Sequence, residues 1–161
     1  MILFLIKALL LSSLFLIFVQ DTLERKVYWF LFPIVALLFG LIQYERIGVY
    51  QFVINSIINL VFVLIITGSL FLYAKYKMEQ PFFETFGLGD FLLFFALSFS
   101  FASGTFLILL VFSFMFCIIL FLLGFQQKTH KTVPLAGNIS FFFGVVFLMS
   151  WIGWYDNLYN L

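Results

Sequence analysis

Six long apolar blocks, separated by short stretches that carry the few charges, leave this 161-residue chain little choice of solvent. The blocks run approximately over residues 2–19, 27–43, 52–73, 88–103, 105–125 and 136–154. At about 1.5 Å of helical rise per residue, most can cross a hydrocarbon core about 30 Å thick. The fourth is short. Apolar residues make up 65% of the chain and charged residues 9%, against about 45–50% and about 25% in soluble domains. Too few charges exist to cover a water-facing surface. In hydrocarbon only helices and closed barrels satisfy the backbone, and no barrel-like alternation is visible. The expected fold is therefore all-α, a polytopic membrane protein with about six transmembrane helices, forming one domain over residues 1–161.

That composition excludes a nucleic-acid binder, a secreted disulfide scaffold and an enzyme with a separate soluble catalytic domain. Cys117 is the only cysteine and His130 the only histidine, so neither an internal disulfide nor a metal site is expected. Lys7 sits inside the first block rather than ahead of it, and no small-residue cleavage site follows. The first block is read as a retained span.

The connectors fall at 20–26, 44–51, 74–86, 102–105 and 126–135. Arg25, Lys26, Lys75, Lys77, Lys128 and Lys131 lie in the first, third and fifth, and they are six of the eight basic residues. The positive-inside bias puts these three connectors in the cytoplasm and both termini outside. This is the pattern of a multi-pass protein of the cell membrane, whose first partner is the lipid bilayer itself.

Carboxylates at membrane depth are costly, so each needs a reason. Glu24, Glu45, Glu79 and Glu84 are connector charges, and Asp156 lies in the outer tail. Two others are different. Asp21 ends the first block; Asp90 opens the fourth, in Phe86-Gly87-Leu88-Gly89-Asp90-Phe91. Taken singly, Asp21 reads as a loop charge and Asp90 as a helix N-cap. An N-cap needs no Gly-x-Gly before it, however, and Gly87 and Gly89 permit close backbone approach. The topology puts both aspartates at one membrane face. Paired carboxylates suit peptide hydrolysis, because two like charges in contact share a proton and can serve as base and acid together. With Asp90 at a helix N-terminus and Asp21 at a helix C-terminus, the helix dipoles favour Asp90 as base and Asp21 as acid. Intramembrane carboxylates also act as proton or ion sites, which leaves open a non-enzymatic small-solute carrier or transporter subunit. Ala96, Ser100 and Gly104, with Ser98 and Ala102, read as a small-residue packing stripe on the fourth span.

Gly87-Leu88-Gly89-Asp90 resembles the GxGD signature of aspartic membrane proteases. The chain is similar to the type IV prepilin peptidases, which include the archaeal preflagellin peptidases. Asp21-Thr22-Leu23-Glu24-Arg25-Lys26-Val27-Tyr28-Trp29 resembles that family's first aspartate segment. Val133-Pro134-Leu135-Ala136-Gly137 resembles its lead-in to the last span. The resemblance implies an aspartic endopeptidase with Asp21 and Asp90 as the catalytic pair, Gly87 and Gly89 shaping the approach, and no cofactor. The implied partner is a prepilin-like precursor, whose short basic leader before a hydrophobic helix is cut at the cytoplasmic face. Two positions depart from the pattern. Leu92 stands where the family usually has Lys, and Tyr28-Trp29 replaces Pro-Asn. A catalytically degenerate relative is therefore a further alternative.

Overall fold

A computed structural model describes residues 2–73, 75–76, 87–124 and 134–153. They are built around five α-helices, and no strand occurs among them: α1 Ile2–Leu23, α2 Leu31–Tyr73, α3 Leu88–Leu97, α4 Ser103–Leu122 and α5 Leu135–Trp151. Helices α1, α2 and α4 are long and apolar enough to cross a membrane; α3 and α5 are shorter apolar helices. Lys77, Glu79, Glu84, Lys128, His130, Lys131 and Asp156 lie outside the described residues.

The second and third blocks form two helical arms, as expected, but the loop read over 44–51 shrinks to a sharp break at one residue. Helix α2 has 43 residues, about 65 Å at helical rise and twice what a bilayer core needs. Its one non-helical residue is Gly48, at φ 76° and ψ 171°, a left-handed backbone that glycine adopts without steric cost. The break folds α2 onto itself. A Cβ on Gly40 would lie 3.6 Å from the Phe52 ring, and the rings of Tyr44 and Phe52 meet at 6.3 Å. In a straight helix, residues 40 and 52 would stand about 18 Å apart. The charges at Glu45 and Arg46 mark the tip of a helical hairpin with arms 31–47 and 49–73.

The fourth block also departs from expectation. Helix α3 has only 10 residues, about 15 Å, half of a bilayer core. The turn over residues 98–102 is not a solvent-facing connector. Ser98, Ser100 and Phe101 have no exposed surface. Irregular backbone survives at membrane depth only where it is buried in protein with its polar groups satisfied. Here Asn59, fully buried on the second arm of α2, donates from Nδ2 to the carbonyls of Ser98 and Phe101, each at 3.0 Å. Ser98 Oγ donates to the Phe95 carbonyl and Ser100 Oγ to the Leu97 carbonyl. The small residues from Ala96 to Gly104 are thus not a stripe on one helix; they make the turn. Replacing Asn59 with Leu leaves two buried carbonyls unpaired, at about 1–3 kcal/mol each. We expect a clearly lower unfolding midpoint for the purified Asn59→Leu protein and no change for Ile58→Leu, whose side chain is exposed.

Aromatic contacts set the levels of these elements. Phe101 meets Phe39 of α2 at 6.0 Å and Phe143 of α5 at 6.3 Å. Phe143 lies six residues, about 9 Å, into α5 from Gly137. Phe143 is the ninth of the 17 residues of α5, so the α3–α4 turn reaches about halfway along α5. Helices α1 and α5 run antiparallel in contact along their whole length, from Phe18 against Phe141 at 4.9 Å to Phe4 against Trp151 at 5.4 Å. That pairing brings the C-terminal end of α1, with Asp21, against the N-terminal end of α5.

Candidate functional site

Helix α5 starts without a side-chain cap of its own. Its first turn, Pro134-Leu135-Ala136-Gly137, offers no Ser, Thr or Asp, yet the first backbone N–H groups of any helix lack intrahelical partners. The partners come from two other helices. The Gly137 N–H donates to Asp21 Oδ2 at 2.6 Å, a short, charge-assisted bond. The Ala136 and Gly87 amides lie close enough to Asp90 to act on its carboxyl. Two consecutive amides of one helix thus face two carboxyls that are 69 positions apart in sequence. The charge of Asp21 acts directly on Asp90. Both side chains are partly buried.

Space at 137 favours glycine. A Cβ there would come within 3.1 Å of Asp21 Cβ and Oδ2 and within 3.2 Å of the Phe18 carbonyl oxygen. The two glycines of the GxGD stretch do different work. Gly87 is the N-cap of α3, and its carbonyl accepts from the Asp90 N–H at 3.1 Å. Asp90 is then the third residue of the helix rather than its cap. Its carboxyl turns back toward Gly87, where an added Cβ would lie 3.1 Å from Asp90 Oδ2. Gly89 sits against Phe32 of α2, with an ordinary contact distance of 3.6 Å for an added Cβ.

A third charged group joins them. Arg25 is the only non-glycine residue with positive φ among the described residues, at 56°. The turn that holds it is tied by Gln20, whose Oε1 accepts the Tyr28 N–H at 3.1 Å. The Arg25 charge acts on both aspartates, and its Nε is buried with no hydrogen-bond partner among the described residues. The sequence reads Arg25 as a topology-setting charge that can also meet anionic lipid head groups; its spacing from Asp21, four positions, is the signal for a role at the pair. Leu92 packs against the apolar core, so the cation near the pair comes from the turn after α1 and not from α3. Cys117 of α4 is buried within reach of the Asp90 charge.

The structure thus brings Asp21, Asp90 and Gly87 together, places Gly89 one helical step away as a packing residue, and adds Ala136, Gly137 and Arg25. The division of roles by helix ends loses its basis, because the α5 amides serve Asp21 as well as Asp90. Among the described residues no three His, Cys, Asp or Glu side chains gather into a group able to hold a metal ion. No family model matches the chain, and no curated protein and no solved structure matches it.

Proposed function

We propose that this chain is a membrane-face aspartic endopeptidase of the prepilin-peptidase kind, with Asp21 and Asp90 as its catalytic pair. One observation carries the reading: two carboxyls from distant segments converge on consecutive amides of a single helix. In this reading one carboxyl is anionic and takes a proton from water. The hydroxyl oxygen forms a bond to the scissile carbonyl carbon. The protonated partner gives its proton to the departing nitrogen as the C–N bond breaks. Arg25 offsets the charge of the pair, and its unused Nε–H points to a place for a substrate oxygen.

The apolar segments then sit in the bilayer as follows. Helix α1, the two arms of α2 and α5 each cross, while α3 and α4 enter as a hairpin whose turn stays inside the bundle. The connectors bearing Arg25, Lys26 and Lys75 share the aspartate face, which the positive-inside bias makes cytoplasmic, and both termini lie outside. The substrate is a prepilin-like precursor, its basic leader meeting the acidic pair and its hydrophobic helix remaining in the membrane.

A different observation favours a second reading. A half-length helix with a buried turn, beside carboxylates and an arginine, is also how carriers build ion-coupled sites. Co-expression with a panel of precursors bearing a basic leader and a hydrophobic helix separates the two. A faster-migrating product with the new N-terminus after the leader supports the peptidase. Uncleaved precursors throughout, with the protein inserted in the membrane, overturn it in favour of the carrier.

A further inference from the structure

We propose, resting on the peptidase reading above, that Arg25 is a third catalytic residue, the donor that receives the scissile carbonyl oxygen as negative charge builds on it. The two carboxyls leave that oxygen unserved. When the water oxygen bonds to the carbonyl carbon, a water proton passes to the anionic carboxyl and the carbonyl electron pair moves onto the oxygen. The other carboxyl keeps its proton for the nitrogen, which takes it as the C–N bond breaks and the carbonyl re-forms. In between, the oxygen carries a full negative charge. Donors fixed in place for such a charge are often the largest single contribution to catalysis. The Gly137 amide is already committed to Asp21 Oδ2, and Leu92 places no cation on α3.

The backbone supports this independently of the charges. The Glu24 N–H donates to the Gln20 carbonyl at 2.9 Å, closing the last turn of α1. Arg25 follows at φ 56°, the left-handed position that ends many helices and that glycine, or sometimes asparagine, usually fills. An arginine there bears a steric cost that glycine avoids. The conformation is held from outside, by the bond from the Tyr28 N–H to Gln20 Oε1 that clasps the turn. Unfavourable backbone that the surroundings hold in place clusters at sites where a side chain is needed. What this turn delivers is a guanidinium whose charge acts on both Asp21 and Asp90. Its Nε is buried and has no hydrogen-bond partner among the described residues, which is unfavourable until an oxygen reaches it. A guanidinium is always charged, and its planar group holds its donors in a fixed direction. It is therefore ready for an oxygen whose charge appears only during the reaction.

The test measures kcat, KM and the unfolding midpoint for the purified full chain and three variants, on a precursor with a basic leader and a hydrophobic helix. Arg25→Gly suits the left-handed backbone, so its midpoint should stay close to the parent's. Its kcat should nevertheless fall about 10²–10³-fold, the loss seen when such a donor is removed, with KM little changed. Arg25→Met keeps the stem but neither the charge nor the donors. It should show the same loss in kcat, and it decides the question if the glycine variant does not fold. Arg25→Lys returns a cation and should be faster than Arg25→Met. A parent-like kcat in the glycine or methionine variant overturns the inference, as does a loss confined to KM or a lysine variant no faster than methionine. Asp90→Asn in the same assay separates the two levels. If it is inactive while the Arg25 variants cleave like the parent, the aspartate pair stands and only the role of Arg25 falls. A parent that cleaves no precursor overturns the peptidase reading and this inference with it.

Discussion

Asp21→Asn and Asp90→Asn should each lower leader cleavage by about a thousandfold or more, while the variant proteins insert and fold like the parent. Acid–base groups acting on a bound substrate contribute about 10²–10⁴ in rate, and groups that act as a unit fail together. The double variant should be little worse than either single one. Asparagine keeps the shape of the side chain and an oxygen for the Gly137 or Ala136 amide. It removes one of two carboxyls that act on each other. The unfolding midpoint should therefore hold or rise. That split, with activity lost and stability kept, distinguishes a catalytic pair from two structural caps. If the aspartates served only to cap α5, both substitutions would lower the midpoint and spare activity. Cleavage by Asp90→Asn at the parent rate would rule out the peptidase reading.

Gly137→Ala should damage the site through a single methyl. The added Cβ would press on Asp21 from 3.1 Å and on the Phe18 carbonyl from 3.2 Å. The carbonyl belongs to the backbone of α1, so α1 and α5 must separate or α5 must shift. Overpacking of this kind costs about 1–3 kcal/mol, and the displacement falls on the bond that positions Asp21. A give of a few tenths of an ångström there shifts a reacting group, and rate is steeply sensitive to such placement, so activity should fall further than the stability loss alone explains. Gly89→Ala is the contrast. Its Cβ would meet only the far edge of the Phe32 ring, at 3.6 Å, and both the midpoint and activity should stay close to the parent. Thermal unfolding and initial cleavage rates of the two purified variants, compared side by side, check this. Equal effects at both glycines would contradict the geometry.

Much of this site was legible in the sequence, for physical reasons that differ from residue to residue. Asp21 and Asp90 stood out because a carboxylate beside a long apolar block is too costly to be incidental. Gly87 stood out through its spacing from Asp90. Gly137 was visible only as part of a resembling stretch. What it does depends on α1 lying against α5, and no local pattern encodes that contact. The capping of α5 in trans left a fainter trace, since a helix opening on Pro134-Leu135-Ala136-Gly137 has no cap of its own and must borrow one. Hydropathy misjudged the fourth block because a buried turn is as apolar as a helix. Residues 98–104, Ser-Phe-Ser-Phe-Ala-Ser-Gly, are rich in small residues and hydroxyls that close their own backbone bonds, and Asn59 closes the rest. Tyr44, Glu45 and Arg46 looked like a loop because they are polar. Charged residues sit comfortably at the tip of a helical hairpin, and Gly48 alone breaks the helix. The structure therefore keeps the all-helical membrane class; among the described residues α1, α2 and α4 are long and apolar enough to cross a membrane, α2 being broken in two at Gly48, and α3 and α5 are shorter.

The reading stands or falls on whether Asp21 and Asp90 share one place. Cysteines at both positions, in a protein whose native thiol is removed as Cys117→Ser, can be tested in membranes with a short bifunctional thiol reagent. A pair at Phe18 and Phe141, whose rings meet at 4.9 Å, serves as the positive control. Efficient intramolecular joining of positions 21 and 90, identified as a crosslinked peptide by mass spectrometry, is the result expected. Joining of the control pair without any joining of 21 to 90 would contradict the shared site and with it the hydrolytic mechanism.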